Sequence, residues 1–310
     1  MTRILVTGGA GFIGSHLVDR LLEQGHSVTV LDDLSYGSLD FLPDHQALEI
    51  IEGTLDDLPS LTDRLRGVET IYHLAALISS HDSLHEPERY LDVNVGGTLR
   101  VIELARDIGA KRILFTSSST VYGNAPSLER AETDVPQPIT VYALSKLTGE
   151  HLLAMYAGLY GFSATVLRLF NVYGPRQSPN HPYANVTCKF AYAGARGGAI
   201  DLYGDGEQSR DFVYVDDVVA ALLAIREHAP RPFYNVGTGT NVSINQLLHE
   251  AEAAAGVKLE RRQLAPWPND IRAMRADISR LVEDFGFAPE ATLADGMAAT
   301  VAYFRQDIPR

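Results

Sequence analysis

The sequence contains a single cysteine, Cys188. No internal disulfide can form, so the core must hold the fold alone, as a reducing compartment such as the cytoplasm allows. Positive charge is also scarce. Lys and Arg number 26 against 39 Asp and Glu, for a net charge of −13. That balance argues against a nucleic-acid partner or an anionic membrane surface, and an anionic ligand would need local donors to hold it. No apolar run approaches the ~18 residues of a membrane span. The N-terminus passes directly into a predicted strand, so neither a signal peptide nor a low-complexity tail is expected. The ten histidines show no metal-ligand spacing, and no metal is expected. Internal repeats and disordered linkers are missing too. What remains is 310 residues, 45% hydrophobic and 21% charged, enough for a large core with one main domain and a smaller lobe.

The chain is organised around its first 33 residues. Ile4, Leu5 and Val6 read as a buried parallel strand. Gly8, Gly11 and Gly14 follow at G-x-x-G-x-x-G spacing, and Leu17, Val18, Leu21 and Leu22 then recur at helical spacing up to Gly25. A second strand, Val28 to Leu31, ends at Asp32. A strand turning sharply into a helix aims backbone N–H groups and a positive dipole end at one point, which suits a pyrophosphate. Glycines allow the tight turn and close approach. Asp32 can accept hydrogen bonds from both hydroxyls of an adenosine ribose and repels a 2′-phosphate, which favours NAD over NADP.

Strands and helices then alternate. Strands are predicted at Leu48 to Glu52, Thr70 to Leu74, Arg112 to Thr116 and Ser163 to Leu169. Helices are predicted near Leu55 to Leu65, from Tyr90 to Ile108 and from Ile139 to Tyr160. This alternation predicts an α/β Rossmann-like doubly wound parallel sheet over residues 1–170, with returns near 211–237. Small residues after the fourth strand, Ala75 and Ala76, let a cofactor lie close. The Gly96-Gly97 pair inside a helical pattern suggests a close approach, because glycine costs helix stability. After Phe170 the texture changes. Residues 171–210 and 238–310 read as a smaller mixed α/β lobe, with a Ser243-capped helix to Ala255.

Tyr142 and Lys146 are four residues apart, on one face of a predicted helix. An ammonium beside a phenol, reinforced by an oxidised nicotinamide, is expected to lower the phenol pKa and make a general base. A Ser or Thr ending the fifth strand would hydrogen-bond the same substrate hydroxyl.

With these residues in view, the chain resembles an extended short-chain dehydrogenase/reductase of the NAD-dependent epimerase/dehydratase family and is similar to the UDP-glucose 4-epimerase group. The motifs are Thr7 to Gly14, His73 to Ala76, Asn94 with Gly97-Thr98, Ser117 to Gly123, Tyr142 with Lys146, Arg168 to Pro175, and Arg210 to Asp217. The resemblance implies a catalytic Ser118 with Tyr142 and Lys146. It implies that NAD is held by Gly8, Gly11, Phe12, Ile13, Gly14, Asp32, Asp33, Leu74, Ala75, Ala76 and Asn94 together with Tyr142 and Lys146. It implies a nucleotide-sugar substrate touching Ser118, Ser119, Thr120, Tyr142, Asn171, Arg210 and Met274, and a homodimer built on the helices near residues 90–110 and 140–160. Dehydratases of the family carry Asp-Glu where this chain has Ser119 and Thr120, and its decarboxylases carry Glu at the Thr120 position. Epimerisation at carbon 4 of a UDP-hexose is therefore the expected chemistry; epimerisation at another carbon, reduction or dehydration are the alternatives within the family. Two features depart from the pattern. Thr54 stands where an Asp usually reads adenine, with Asp56 or Asp57 as substitutes. A second diphosphate-binding Arg is missing from Pro266 to Asp270, with Arg272 or Arg275 as candidates to reach in. Met274 leaves both glucose and N-acetylglucosamine open.

Overall fold

A computed structural model describes residues 1–124, 127–179, 184–266 and 272–306. The chain forms two compact units. The first comprises Met1–Ala125, Thr133–Leu169 and Val219–Tyr234; the second comprises Pro126–Glu132, Phe170–Val218 and Asn235–Arg310.

A seven-stranded sheet frames the first unit. Its strands are β1 (Arg3–Thr7), β2 (Ser27–Asp32), β3 (Leu48–Glu52), β4 (Thr70–His73), β5 (Arg112–Ser118), β6 (Ser163–Leu169) and β7 (Phe233–Val236). Their spatial order is β7-β6-β5-β4-β1-β2-β3. The pairings among β1 to β6 are parallel, with Leu5 of β1 opposite both Thr29 and Ile71. The strands form because their residues are apolar on both faces: Ile4, Leu5 and Val6 are all fully buried. Leu5, Ile71, Ile113, Phe115 and Val166 share a core with Val101, Ile102 and Leu153 from the covering helices. Strand order reverses between β1 and β4, so the carboxyl ends of these two strands mark the place where such sheets bind ligands.

Three helices matter for that place: α1 (Phe12–Glu23), α2 (Gly97–Ile108) and α3 (Val141–Tyr160). The helix expected from Tyr90 to Ile108 is interrupted: a wide π turn, Leu91–Gly96, precedes α2. The helix expected over Leu55 to Leu65 is shorter, a 3₁₀ turn at Leu55–Asp57 followed by Leu58–Leu61. Thr54 caps that turn and exchanges hydrogen bonds with Asp57.

The second unit holds helices Val186–Arg196, Ile244–Ala255 and Leu293–Arg305 around a core that includes Phe190, Leu247, Leu248 and Val301. Ser243 caps the middle helix in a reciprocal box with Gln246. A small sheet pairs Arg210 with Val242 on one side and Met274 on the other. Among the described residues no helix is long and apolar enough to cross a membrane.

Candidate active site

At the end of β1 the chain turns through Gly8, at φ +73°. A side chain there would lie 2.8 Å from the Ala75 backbone nitrogen, and one at Gly14 would run into the Gly8 carbonyl. The turn is thus folded onto itself and onto the exit of β4, which only glycine permits. α1 starts at Phe12 with no side-chain cap. The N–H groups of Phe12, Ile13 and Gly14 therefore have no acceptor within the helix, and the dipole adds positive potential. Asp32 ends β2, 8% exposed. One of its oxygens accepts the Ala10 N–H at 2.9 Å and the other accepts the Leu34 N–H at 2.9 Å. Burial pushes its carboxyl upward in pKa, opposed by these backbone donors. A carboxylate offers about four lone-pair directions, so acceptor capacity remains for a ribose. Uncapped donors and a spare carboxylate side by side fit a dinucleotide such as NAD. Asp33 is exposed and accepts from Ser35. Leu34 sits at φ +58°, a left-handed conformation costing a branched residue roughly 1 kcal/mol, and its bond to Asp32 holds it there.

Beyond β4, Leu74, Ala75 and Ala76 lead to Leu77, and Asn94 of the π turn fixes this loop. Asn94 accepts the Leu77 N–H at 2.8 Å and donates to the Leu77 carbonyl at 3.0 Å and to Ser145 Oγ at 2.9 Å. Both hydrogens of its amide are used by protein, so it shapes the loop and ties it to α3. The close approach at Gly97 is made by Leu55, whose side chain occupies the space of a Cβ. Asp57 is committed to Thr54, at 2.8 Å, and Asp56 pairs with Arg100, at 3.2 Å.

Thr140 accepts from the Ala143 N–H and starts α3, which brings Tyr142 and Lys146 to the end of β5. Both are buried, 8% and 3% exposed. The expected lowering of the Tyr142 pKa by Lys146 is not what the structure shows. Burial pushes the phenol up to about 12, with the Ser118 hydrogen bond pulling down and the Tyr90 phenol pushing up. Lys146 instead donates to the Thr116 carbonyl at 2.9 Å and lies 4.9 Å over the Phe115 ring. Burial brings its pKa down to about 7, with Glu150 acting in the opposite direction. Desolvation outweighs the phenol–ammonium attraction that spacing alone suggests.

This has a consequence for stability. Between about 7 and the ordinary 10.5 the unfolded chain carries a proton on Lys146 that the folded chain lacks. The Lys146 contribution to stability therefore rises as pH rises through that window. In nucleotide-free protein, Lys146→Met should be the more stable form at neutral pH by a few kcal/mol at most (about 1.4 kcal/mol per unit of pKa shift). The advantage should shrink toward pH ~10. Urea unfolding of both forms across this range checks it; a pH-independent difference would contradict it.

One turn past Lys146, Glu150 accepts from Ser117 Oγ at 2.5 Å and from Arg168 Nε and Nη2 at 3.1 and 2.7 Å. Arg168 also donates to the Tyr122 hydroxyl at 3.1 Å, and its guanidinium lies over the Tyr122 and Phe233 rings. Tyr122 is therefore a core residue. At the end of β5, Ser118 caps the 3₁₀ turn Ser119–Tyr122; Ser119 is buried, and Thr120 bonds back to Ser118.

In the second unit, Asn171 donates its amide to the Asp211 carbonyl at 3.1 Å. Arg210 is half-buried and donates to the Ser209 carbonyl at 2.8 Å, and Met274, beside it in register, is buried. The Asp211 carboxylate accepts from Thr238, Gly239 and Ala276, which fixes the strand carrying Arg210. Tyr173 is fully buried, edge-on to Tyr214. Arg272 makes a two-pronged pair with Asp205 at 2.8 and 3.0 Å, and Arg275 pairs with Glu129 at 2.9 Å. The segment Trp267 to Asp270 lies outside the described residues.

Sequence reasoning passed over Tyr90, Leu34 and Glu150. Tyr90 packs against Tyr142 and Leu77. Glu150 had a signal, since it repeats the four-residue spacing of Tyr142 and Lys146; Leu34 and Tyr90 had none.

The sheet order, the glycine turn, and Ser118 with the buried Tyr142 and Lys146 at the end of β5 define an extended short-chain dehydrogenase/reductase. The model of the NAD dependent epimerase/dehydratase family matches residues 4–237, and the chain belongs to that family. It is an enzyme of this NAD-dependent family, and NAD is its cofactor. It is 40% identical over 98% of both chains to a UDP-glucose 4-epimerase of Mycolicibacterium smegmatis. Among solved structures it is similar to the UDP-glucose 4-epimerase of Thermotoga maritima with UDP-glucose, at TM-score 0.93 and 37% identity, covering 98% of this chain and 99% of the other. It is equally similar to the UDP-N-acetylglucosamine 4-epimerase of Methanobrevibacter ruminantium in complex with UDP-N-acetylmuramic acid, at TM-score 0.93 and 37% identity over 98% of each.

Proposed function

We propose that this enzyme is a nucleotide-sugar 4-epimerase of the UDP-glucose/UDP-galactose type. The observation that carries the reading is the β5 terminus. Ser118 there hydrogen-bonds Tyr142, and the next two positions, Ser119 and Thr120, carry hydroxyls and no carboxylate, the group that elimination or decarboxylation would need to move a further proton. NAD, when bound, supplies the acceptor and then the donor of a hydride at sugar carbon 4. Tyr142 takes the proton of the 4-hydroxyl as phenolate and returns it to the inverted oxygen. The Ser118 hydrogen bond and the positive nicotinamide favour that phenolate, which burial disfavours. Ser118 hydrogen-bonds the same oxygen. The N–H groups of Phe12, Ile13 and Gly14 hold the pyrophosphate, and Asp32 holds the adenosine ribose. Leu74, Ala75 and Ala76, braced by Asn94, floor the cofactor site. Asn171 and Arg210 are assigned to the substrate diphosphate, where a guanidinium pairs two oxygens at once. A grip on the diphosphate leaves the sugar free to turn over between the two proton transfers.

UDP-N-acetylglucosamine is a second candidate substrate, because the chain is as similar to an epimerase of that sugar as to one of UDP-glucose. Incubation with UDP-glucose, UDP-N-acetylglucosamine and UDP-glucuronate separately, without added cofactor, tests the reading. Conversion to a galacto epimer, followed by NMR, is expected, and the fastest substrate names the sugar. No conversion of any of them, even with NAD added, would contradict it.

The reading includes a homodimer. Leu144, Met155 and Leu159 are 46%, 53% and 67% exposed along α3, and Leu91 and Val93 are 41% and 36% exposed in the π turn. A second copy covering this apolar stripe accounts for them. Light scattering should give twice the chain mass; a monomeric mass would remove the dimer.

A further inference from the structure

Ser118 Oγ accepts two hydrogen bonds from one residue, the Thr120 backbone N–H at 3.2 Å and the Thr120 hydroxyl at 2.9 Å. A hydroxyl has two lone pairs and one hydrogen. Both lone pairs are therefore in use before any substrate arrives. We propose that Thr120 is a positioning residue that fixes Ser118 as an obligate hydrogen-bond donor, so that the Ser118 hydrogen is left to point at the Tyr142 oxygen. This rests on Tyr142 being the base of the proposed epimerase.

The consequence is one of sign. A neighbouring hydroxyl free to accept would take the hydrogen of the neutral phenol and stabilise the inactive, protonated form. A hydroxyl able only to donate stabilises the phenolate instead. The contact between Ser118 and Tyr142 acts in that direction. Once Tyr142 has taken a proton, the same hydrogen can turn to the substrate oxygen that lost it, so Ser118 remains a donor throughout the cycle. Other titratable groups bear on Tyr142 as well. The Tyr90 phenol packs against it from the segment Pro87–Tyr90. Lys146 lies one turn along α3 and Glu150 one turn further. His73 of β4, held neutral between Thr7 and Thr98, faces Lys146. None of these changes when Thr120 is replaced by an isostere.

The test compares the enzyme with bound NAD as wild type, Thr120→Val and Thr120→Ser, with UDP-glucose as substrate. Thr120→Val keeps shape and backbone but frees one Ser118 lone pair. The acid limb of its kcat–pH profile should move up by about one pH unit, a roughly tenfold loss below the limb that vanishes on the alkaline side, with KM little changed. Thr120→Ser should restore the wild-type profile. In a Ser118→Ala background Thr120→Val should have no further effect. A second readout needs no turnover. The tyrosinate absorbance that NAD induces, taken as the difference from Tyr142→Phe, should titrate about one unit higher in Thr120→Val. A pH-independent loss of kcat, a change in KM alone, an unshifted titration or a persisting effect without Ser118 would each overturn the proposal. If wild-type protein turns over no nucleotide sugar while the titration shift is present, the proposed reaction fails and the Thr120–Ser118 assignment stands.

Discussion

Tyr142→Phe should fold, bind NAD and lose turnover by about 10³-fold, within the 10²–10⁴ range of a positioned general base. The substitution removes one oxygen from a side chain that is 8% exposed and packed against Leu77 and Tyr90. Shape and apolar burial are kept and the hydrogen bond with Ser118 is lost, so stability should fall by no more than about 1 kcal/mol. The loss should appear in kcat and leave KM nearly unchanged, since the oxygen acts on the proton in flight. Thermal unfolding and retained NAD absorbance separate a chemical defect from a folding one. Turnover at the wild-type rate would mean that another group is the base.

The largest expected loss of stability is at Glu150. Arg168 and Glu150 are 5% and 1% exposed at their side chains, joined at 2.7 Å. Glu150→Ala would strand a buried guanidinium and remove the acceptor of Ser117, a change worth ~3–5 kcal/mol. For a unit of this size that corresponds to a fall in Tm of roughly 10 °C. The paired change Glu150→Leu with Arg168→Met should recover most of it, because the cost lies in the unpaired charge rather than in a missing attraction. Calorimetry on the single and double variants decides this. A single variant as stable as wild type would show that Arg168 finds water or another partner when Glu150 is gone.

Periodicity and turn chemistry made the parallel sheet legible. Leu48 to Glu52 and Ser163 to Leu169 coincide with strands, and Ser243 caps its helix, because these signals are local. The glycine turn was legible for a similar reason: only Gly fits where the turn closes on itself. The π turn at Leu91–Gly96 was not, since the same apolar spacing serves a regular helix until Asn94 is drawn to Leu77 and Ser145. The Tyr142–Lys146 spacing was visible, but the direction of the Tyr142 shift was not. It depends on burial supplied by Tyr90 and Leu77, which are distant in sequence. The Ser117–Glu150–Arg168 network joins residues 33 and 18 positions apart; the spacing places Glu150 on the Tyr142 face of the helix but does not name its partners. The placing of Met274 beside Arg210 likewise depends on a strand pairing across 64 positions, which local pattern does not carry.

The central claim is that Tyr142 inverts carbon 4 of a nucleotide sugar while the hydride never leaves the enzyme. UDP-glucose incubated with purified enzyme in deuterium oxide, without added cofactor, tests it by NMR. The account predicts UDP-galactose with hydrogen retained at carbon 4, because that hydrogen returns as hydride while only the hydroxyl proton exchanges. Deuterium at carbon 4, or inversion at a different carbon, would contradict it.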